Sequence, residues 1–350
     1  MATLLASAAL LSIFVMFLGE LTPLAPERLR GQFSWSLEER IHTFQMYETS
    51  ARNALNQIKK HALDANVTFP LFPNRSNDAE LVGSPPSLCV GILTARRIKS
   101  DKSYLLQLVG SMSARMNIPS DDAYLHVFNV DLNPVEHKEA AEISDIMPVT
   151  VLKARHKDAE GFKLTLKQQE ALDYAEGLRI FGKMGCENSL MIEDDAFASD
   201  NWIDQTKDAL NQLRQQSDWF LVKMYGTRDY ARMPRGKQRL YQYDQGYGTV
   251  AVLFNGKHTE SFISALENNV FESLRGDAEF LPKDVFMSRF SRQKQWPIQT
   301  FEPVVFQHTG IHSAVSNARS LSADFPQYMS ARNFVSEGVA VTFDPSRFRI

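Results

Sequence analysis

The sequence predicts an open, mostly parallel α/β sheet flanked by helices, preceded by a membrane anchor and a helical stem. Three observations predict it. Short apolar runs alternate with segments of helical spacing over residues 88–195, the rhythm of β-α-β units. One of those runs ends in three adjacent acids, Glu193-Asp194-Asp195. The chain opens on an uncharged apolar stretch, Leu4 to Leu18, interrupted only by Ser7 and Ser12.

That stretch, with Ala2, Thr3 and Gly19, is close to the lower limit of about 17 residues for spanning a bilayer. No basic residue precedes it and no clean small-x-small cleavage site follows it, so a retained signal anchor over 1–20 is expected rather than a cleaved leader. Pro23, Pro26 and Gly31 break the chain after it. Ser36-Leu37-Glu38-Glu39 has the form of a capping box. Ile41, Phe44, Tyr47, Ala51, Leu55, Ile58 and Ala62 then recur at three- and four-residue spacing, which predicts a long amphipathic helix ending near Asp64, read as a stem packed on the body. Pro70, Pro73, Gly83, Pro85 and Pro86 mark a linker, so the stem covers 21–86 and the catalytic body 87–350. Asn66-Val67-Thr68 and Asn74-Arg75-Ser76 fit the N-glycosylation pattern. Together with the anchor they point to a single-pass protein with its body in the lumen of the Golgi or ER.

In the body, strands are expected at Leu88–Leu93, Ala123–Val130, Val149–Leu152 and Ser189–Ile192, with helices following Tyr104 and over Lys167–Phe181. Trp219–Val222, Thr249–Phe254 and Val304–Phe306 read as further strands of undetermined direction. Cys89 and Cys186 each precede a strand expected near the sheet centre, and either a disulfide or two buried thiols fits that placement. With 38 basic against 41 acidic side chains the formal charge is -3, which argues against a dedicated nucleic-acid partner. Two cysteines exclude a disulfide-framed miniprotein.

An apolar strand that delivers three carboxylates at its carboxyl end puts them where open α/β sheets bind ligands. Carboxylate oxygens select Mn²⁺ or Mg²⁺, and such an ion would hold a diphosphate and stabilise its charge as it leaves. A solvated acidic turn before the next helix is the bland alternative.

Lys167-Gln168, Leu172-Asp173-Tyr174 and Leu190-Met191-Ile192-Glu193-Asp194-Asp195-Ala196 resemble the core of a GT-A glycosyltransferase. More narrowly, they are similar to the N-acetylglucosaminyltransferase IV and GPI-anchor N-acetylgalactosamine transferase families. Gly91-Ile92-Leu93-Thr94-Ala95-Arg96-Arg97 resembles their first strand and basic turn, Pro282-Lys283-Asp284 the start of a late helix, and Gln307-His308-Thr309-Gly310-Ile311-His312-Ser313 a segment near the end. The resemblance runs from about Leu88 to Ser313. It departs at Val285-Phe286-Met287, where a Leu-rich run is expected. It departs also in lacking the further membrane helices of the GPI-anchor enzyme.

The resemblance implies a metal-dependent transferase with a UDP-linked sugar donor and a glycan acceptor on a glycoprotein or a GPI anchor. It implies Asp195 as direct metal ligand, with His308 placed ahead of His312 as the late histidine that completes the site. Glu193 and Asp194 would support the metal or touch the ribose. Thr94, Arg96 and Arg97 would meet the nucleotide and its diphosphate, and Lys167 and Asp173 would face the nucleotide from their helix. Asp284 is the candidate base of an inverting transfer, with Asp277 and Glu279 as rivals. Tyr247 and Trp296 are candidate sugar platforms or core residues. The competing function is a catalytically silent GT-A-like glycan-binding or scaffold protein.

Overall fold

The computed structural model describes residues 37–64, 86–97, 103–114, 116, 123–152, 163–216, 218–225, 239–242, 248–302 and 304–308. The proposed anchor and both N-glycosylation sequons lie outside them. Among the described residues no helix is long and apolar enough to cross a membrane.

The first described helix, α1 (Leu37–Asp64), buries Ala51, Leu55, Ile58 and Ala62, four residues of the stripe read from its spacing, together with Ala54. It lies on α2 (Tyr104–Ser113). The two come close because Gly110 offers no side chain: a Cβ there would sit 2.5 Å from that of Ala51. Ion pairs from Arg52 to Glu142 and from Lys59 to Asp145 tie the same helix to the segment after β2.

The body is built on β1 (Cys89–Thr94), β2 (Tyr124–Asn129), β3 (Val149–Val151), β4 (Asn188–Glu193), β5 (Ala196–Ala198), β6 (Leu221–Lys223), β7 (Arg239–Gln242), β8 (Ala251–Asn255), β9 (Ile298–Glu302) and β10 (Phe306–His308). Eight of them form one sheet in the order β3-β2-β1-β4-β8-β6-β9-β7. β3, β2, β1 and β4 run parallel, as do β6 and β9. The sheet is mixed rather than all parallel, because β8 runs antiparallel to both β4 and β6, and β7 antiparallel to β9. β5 and β10 form a separate antiparallel ribbon.

Strand periodicity explains why the sheet is covered on both faces. Val90 and Ile92, Leu125 and Val127, Leu190 and Ile192 face the layer of α1, α2 and α5 (Trp202–Leu213). The intervening Phe128, Met191, Val252 and Phe254 face α4 (Leu166–Lys183), α6 (Gly256–Arg275) and α7 (Lys283–Lys294). Burial on both faces is what near-continuous apolar strands require. α4 starts on a capping box in which Thr165 and Gln168 satisfy each other's backbone N–H groups. The short α3 (Lys138–Ile143) follows a 3₁₀ turn, Pro134–Glu136. Cys89 and Cys186 form a disulfide at the amino ends of β1 and β4, so of the two readings the paired one is realised. Trp296 is half-buried against the aromatic core, its ring tilted 3.8 Å from His258 and packed against Phe220 and Phe290, the core placement among its two readings. Tyr247 lies outside the described residues.

Candidate active site

The chain lays down β1, β2 and β3 outward in one direction, then returns to place β4 on the other side of β1. The carboxyl ends of β1 and β4 therefore frame the topological switch point, where open α/β sheets form their crevice. Register decides which side chains meet there. Leu93 pairs with Glu193, and the Asp194 N–H donates to the Leu93 carbonyl at 3.1 Å. Thr94 and the residues after it are thereby brought beside Asp194 and Asp195.

The two aspartates are buried, at 4% and 7% exposure, and a buried carboxylate needs partners. Thr94 Oγ1 donates to Asp194 Oδ2 at 2.7 Å and lies 2.9 Å from His137 Nε2. The Arg97 guanidinium spans the pair, 2.6 Å from Asp194 Oδ1 and 3.0 Å from Asp195 Oδ2. It lies over the Tyr104 ring at 4.4 Å, a stack that suits its planar, weakly hydrated head. His308 Nε2 approaches Asp195 Oδ2 at 3.1 Å. It arrives there because β10 pairs with β5, with His308 opposite Ala196, the residue after Asp195.

These contacts separate the two acids. Burial pushes Asp194 upward and neighbouring Asp195 adds to it, against the pull of Arg97. For Asp195 burial also acts upward, but His308 and Arg97 outweigh it and hold the group well below the usual carboxylate range. Burial pushes His308 down, yet Asp195 prevails and raises it above an ordinary histidine. Arg97 is raised despite burial by the two aspartates. The result is one firmly ionised carboxylate facing an imidazole.

Glu193 is set apart from the pair. Its Oε1 accepts from Thr249 Oγ1 at 2.5 Å and from Lys283 Nζ at 3.2 Å, and Lys283 also pairs with Glu170. Burial acts against that lysine, but the two glutamates raise it overall. Glu193 is thus tied to the start of α7, leaving Asp194 and Asp195 as the acids of the switch point. Asp284 follows Lys283 in the first turn of α7. Its Oδ1 accepts from the Val285 N–H at 2.9 Å and its Oδ2 from the Gly248 N–H at 3.3 Å.

The remaining residues are distributed as follows. Arg96 turns to the rim, where its N–H donates to Asp131 Oδ2 at 2.7 Å and its guanidinium pairs with Glu136. Lys167 is exposed on the first turn of α4. Asp173 lines a cavity of about 330 Å³ with Thr150, Val151, Leu152, Gln169 and Glu176. Burial pushes it up to about 7, against a 2.9 Å hydrogen bond from Gln169. Asp277 pairs with Arg275, and Glu279 is exposed. His312 lies outside the described residues.

Sequence reasoning passed over Thr249, Lys283, His137 and Asp131. Asp131 had a readable signal, since it closes a strand with an acid just as β4 does. The others act through contacts between distant segments.

Among the described residues no group of three or more His, Cys, Asp or Glu side chains is arranged to hold a metal. Asp195 and His308 converge as one oxygen and one nitrogen donor. That pair fits a divalent ion whose remaining positions come from substrate phosphate and water, as Mg²⁺ sites often do, rather than a closed protein cage.

Residues 88–232 match the family model described as GPI-N-acetylgalactosamine transferase PGAP4. That stretch holds Thr94, Arg97, Asp173, Asp194 and Asp195 and stops short of Lys283, Asp284 and His308. No curated protein matches the sequence. Among solved structures, the crystal structure of S. aureus TarS aligns over 63% of this chain at 9% identity and a TM-score of 0.35. This chain covers 36% of the length of TarS, a likeness too distant to bear on the site. The family match over 88–232 supports the resemblance to a glycosyltransferase read from the sequence.

Proposed function

We propose that this chain transfers an N-acetylhexosamine from a UDP donor to a glycan, a GPI-anchor glycan before an N-glycan, with a divalent ion at Asp195 and His308. The observation that carries the proposal is the buried Asp194–Asp195 pair at the switch point, bridged by Arg97 and approached by His308. The match to a GPI-N-acetylgalactosamine transferase family over 88–232 favours that acceptor class. Mn²⁺ or Mg²⁺ would supply positive charge to the departing diphosphate.

The chain's own groups do the rest. Arg97 is a second cation at the same spot and is suited to phosphate oxygens. The cavity beside α4 offers Gln169 and Asp173 to the donor's base, and Asp173 feels the charge of Lys283, which touches Glu193. Asp284, held by two backbone N–H groups, takes the proton of the attacking acceptor hydroxyl as the sugar inverts. A single N-terminal anchor would hold the body in the lumen of the Golgi or ER, and the Cys89–Cys186 disulfide supports an oxidising compartment.

The test is release of UDP from UDP-N-acetylhexosamines when a GPI-type glycan is supplied with Mn²⁺. Acceptor-dependent release that Asp284→Asn abolishes while UDP still binds is the expected result. Wild-type turnover by Asp284→Asn would remove the base assignment. One observation favours the second reading, a silent glycan-binding module: the Arg97 guanidinium itself pairs with both acids of the switch point. Glycan binding with no UDP release from any donor would establish it.

A further inference from the structure

We propose that Lys223 is a positioning residue for Asp284, anchoring the Gly248 backbone whose N–H sets the direction of the carboxylate. The inference rests on Asp284 being the base of the transfer.

Lys223 ends β6 and is 4% exposed. A lysine head in such a place is costly to bury, so its placement calls for a polar purpose. Its Nζ donates to the Gly248 carbonyl at 3.1 Å. From the same residue the Gly248 N–H donates to Asp284 Oδ2 at 3.3 Å. Gly248 has φ of 83°, the left-handed region open to glycine at little cost. One peptide unit beside Gly248 is gripped by Lys223 while its neighbour faces Asp284, and that backbone conformation fixes the angle between them. The other carboxylate oxygen is held by the Val285 N–H at the start of α7. The carboxylate is therefore clamped between its own helix and the Gly248 backbone, and Lys223 holds that backbone. Burial pushes Lys223 down to about 8, with Asp284 opposing that shift, which places the two charges within reach of each other. Thr249, the next residue, binds Glu193, so the same short segment connects the base to the acidic strand.

The experiment compares steady-state kinetics of the full chain with those of Lys223→Met and Lys223→Gln. Misplacing a reacting group by about 1 Å can cost about 100-fold in rate. Lys223→Met is therefore expected to lower kcat about 10- to 100-fold, with donor KM and the melting shift on adding UDP and Mn²⁺ unchanged. Lys223→Gln keeps a donor for the Gly248 carbonyl and is expected to recover most of the loss. Wild-type kcat in Lys223→Met, a loss confined to KM, or equal losses in both variants would overturn the proposal. If Lys223→Met does not fold, Lys223→Gln decides alone: near-normal kcat with normal KM supports the role, and loss of donor binding refutes it. Normal turnover by Asp284→Asn would instead remove the premise. An inactive Asp284→Asn beside a fully active Lys223→Met would sink this inference alone.

Discussion

Replacing Arg97 by Met removes the guanidinium that spans Asp194 and Asp195 while keeping much of the stem over Tyr104. The Arg97 side chain is 8% exposed and its contacts are 2.6 and 3.0 Å long, so solvent does little to screen the pair. Removing one partner of a buried ion pair costs about 3–5 kcal/mol, because the other charge is left behind. Thr94 still donates to Asp194 and His308 still faces Asp195, which puts the expected loss near the lower end, about 3 kcal/mol. At about 2–4 °C per kcal/mol, the melting temperature should fall by about 6–12 °C. The same carboxylates would then be available to a divalent ion. Mn²⁺ alone at about 100 times its Kd should restore about 2.7 kcal/mol to the variant, whereas the wild type, with Arg97 in place, should respond mainly to Mn²⁺ with UDP. Thermal melting of both proteins with Mn²⁺, UDP and the pair measures this. A variant that melts like the wild type, or one that Mn²⁺ leaves unshifted, would refute the reasoning.

Two more outcomes follow from the same geometry. Asp173 has its folded-state pKa raised to about 7 by burial, so folding binds a proton there between about pH 4 and pH 7, and stability falls as pH rises through that window. Asp173→Asn should therefore add about 2–4 kcal/mol to the unfolding free energy at pH 8 and little at pH 4; urea titrations at the two pH values read the difference, and equal gains at both would contradict it. Cys186→Ser opens a bond between residues 97 apart in sequence and should cost about 2–5 kcal/mol. Thiol titration of the native chain should find neither cysteine reactive, and two reactive thiols would contradict the disulfide.

Much of this was legible in the sequence where a single segment carries its own signal. The apolar runs of β1, β2 and β4, the stripe of α1 and the acids after Ile192 are local patterns, and each formed the expected element. The opposite direction of β8 was not legible, because Thr249-Val250-Ala251-Val252-Leu253-Phe254 reads the same in either orientation. Nor could sequence spacing tell Arg96 from Arg97. One turns to Asp131 and Glu136 and the other to the buried acids, a choice made by how the chain leaves β1. Glu193, read as supporting the metal or touching the ribose, pairs with Lys283, 90 residues away. His308 reaches Asp195 across 113 residues only because a two-stranded ribbon forms. Such contacts are products of packing, and no local pattern encodes them.

Calorimetric titration of UDP into the full chain, with and without Mn²⁺, addresses the central claim most directly. Binding should require the metal and disappear in Asp195→Asn. Metal-independent binding that survives in Asp195→Asn, or no binding under either condition, would contradict the account.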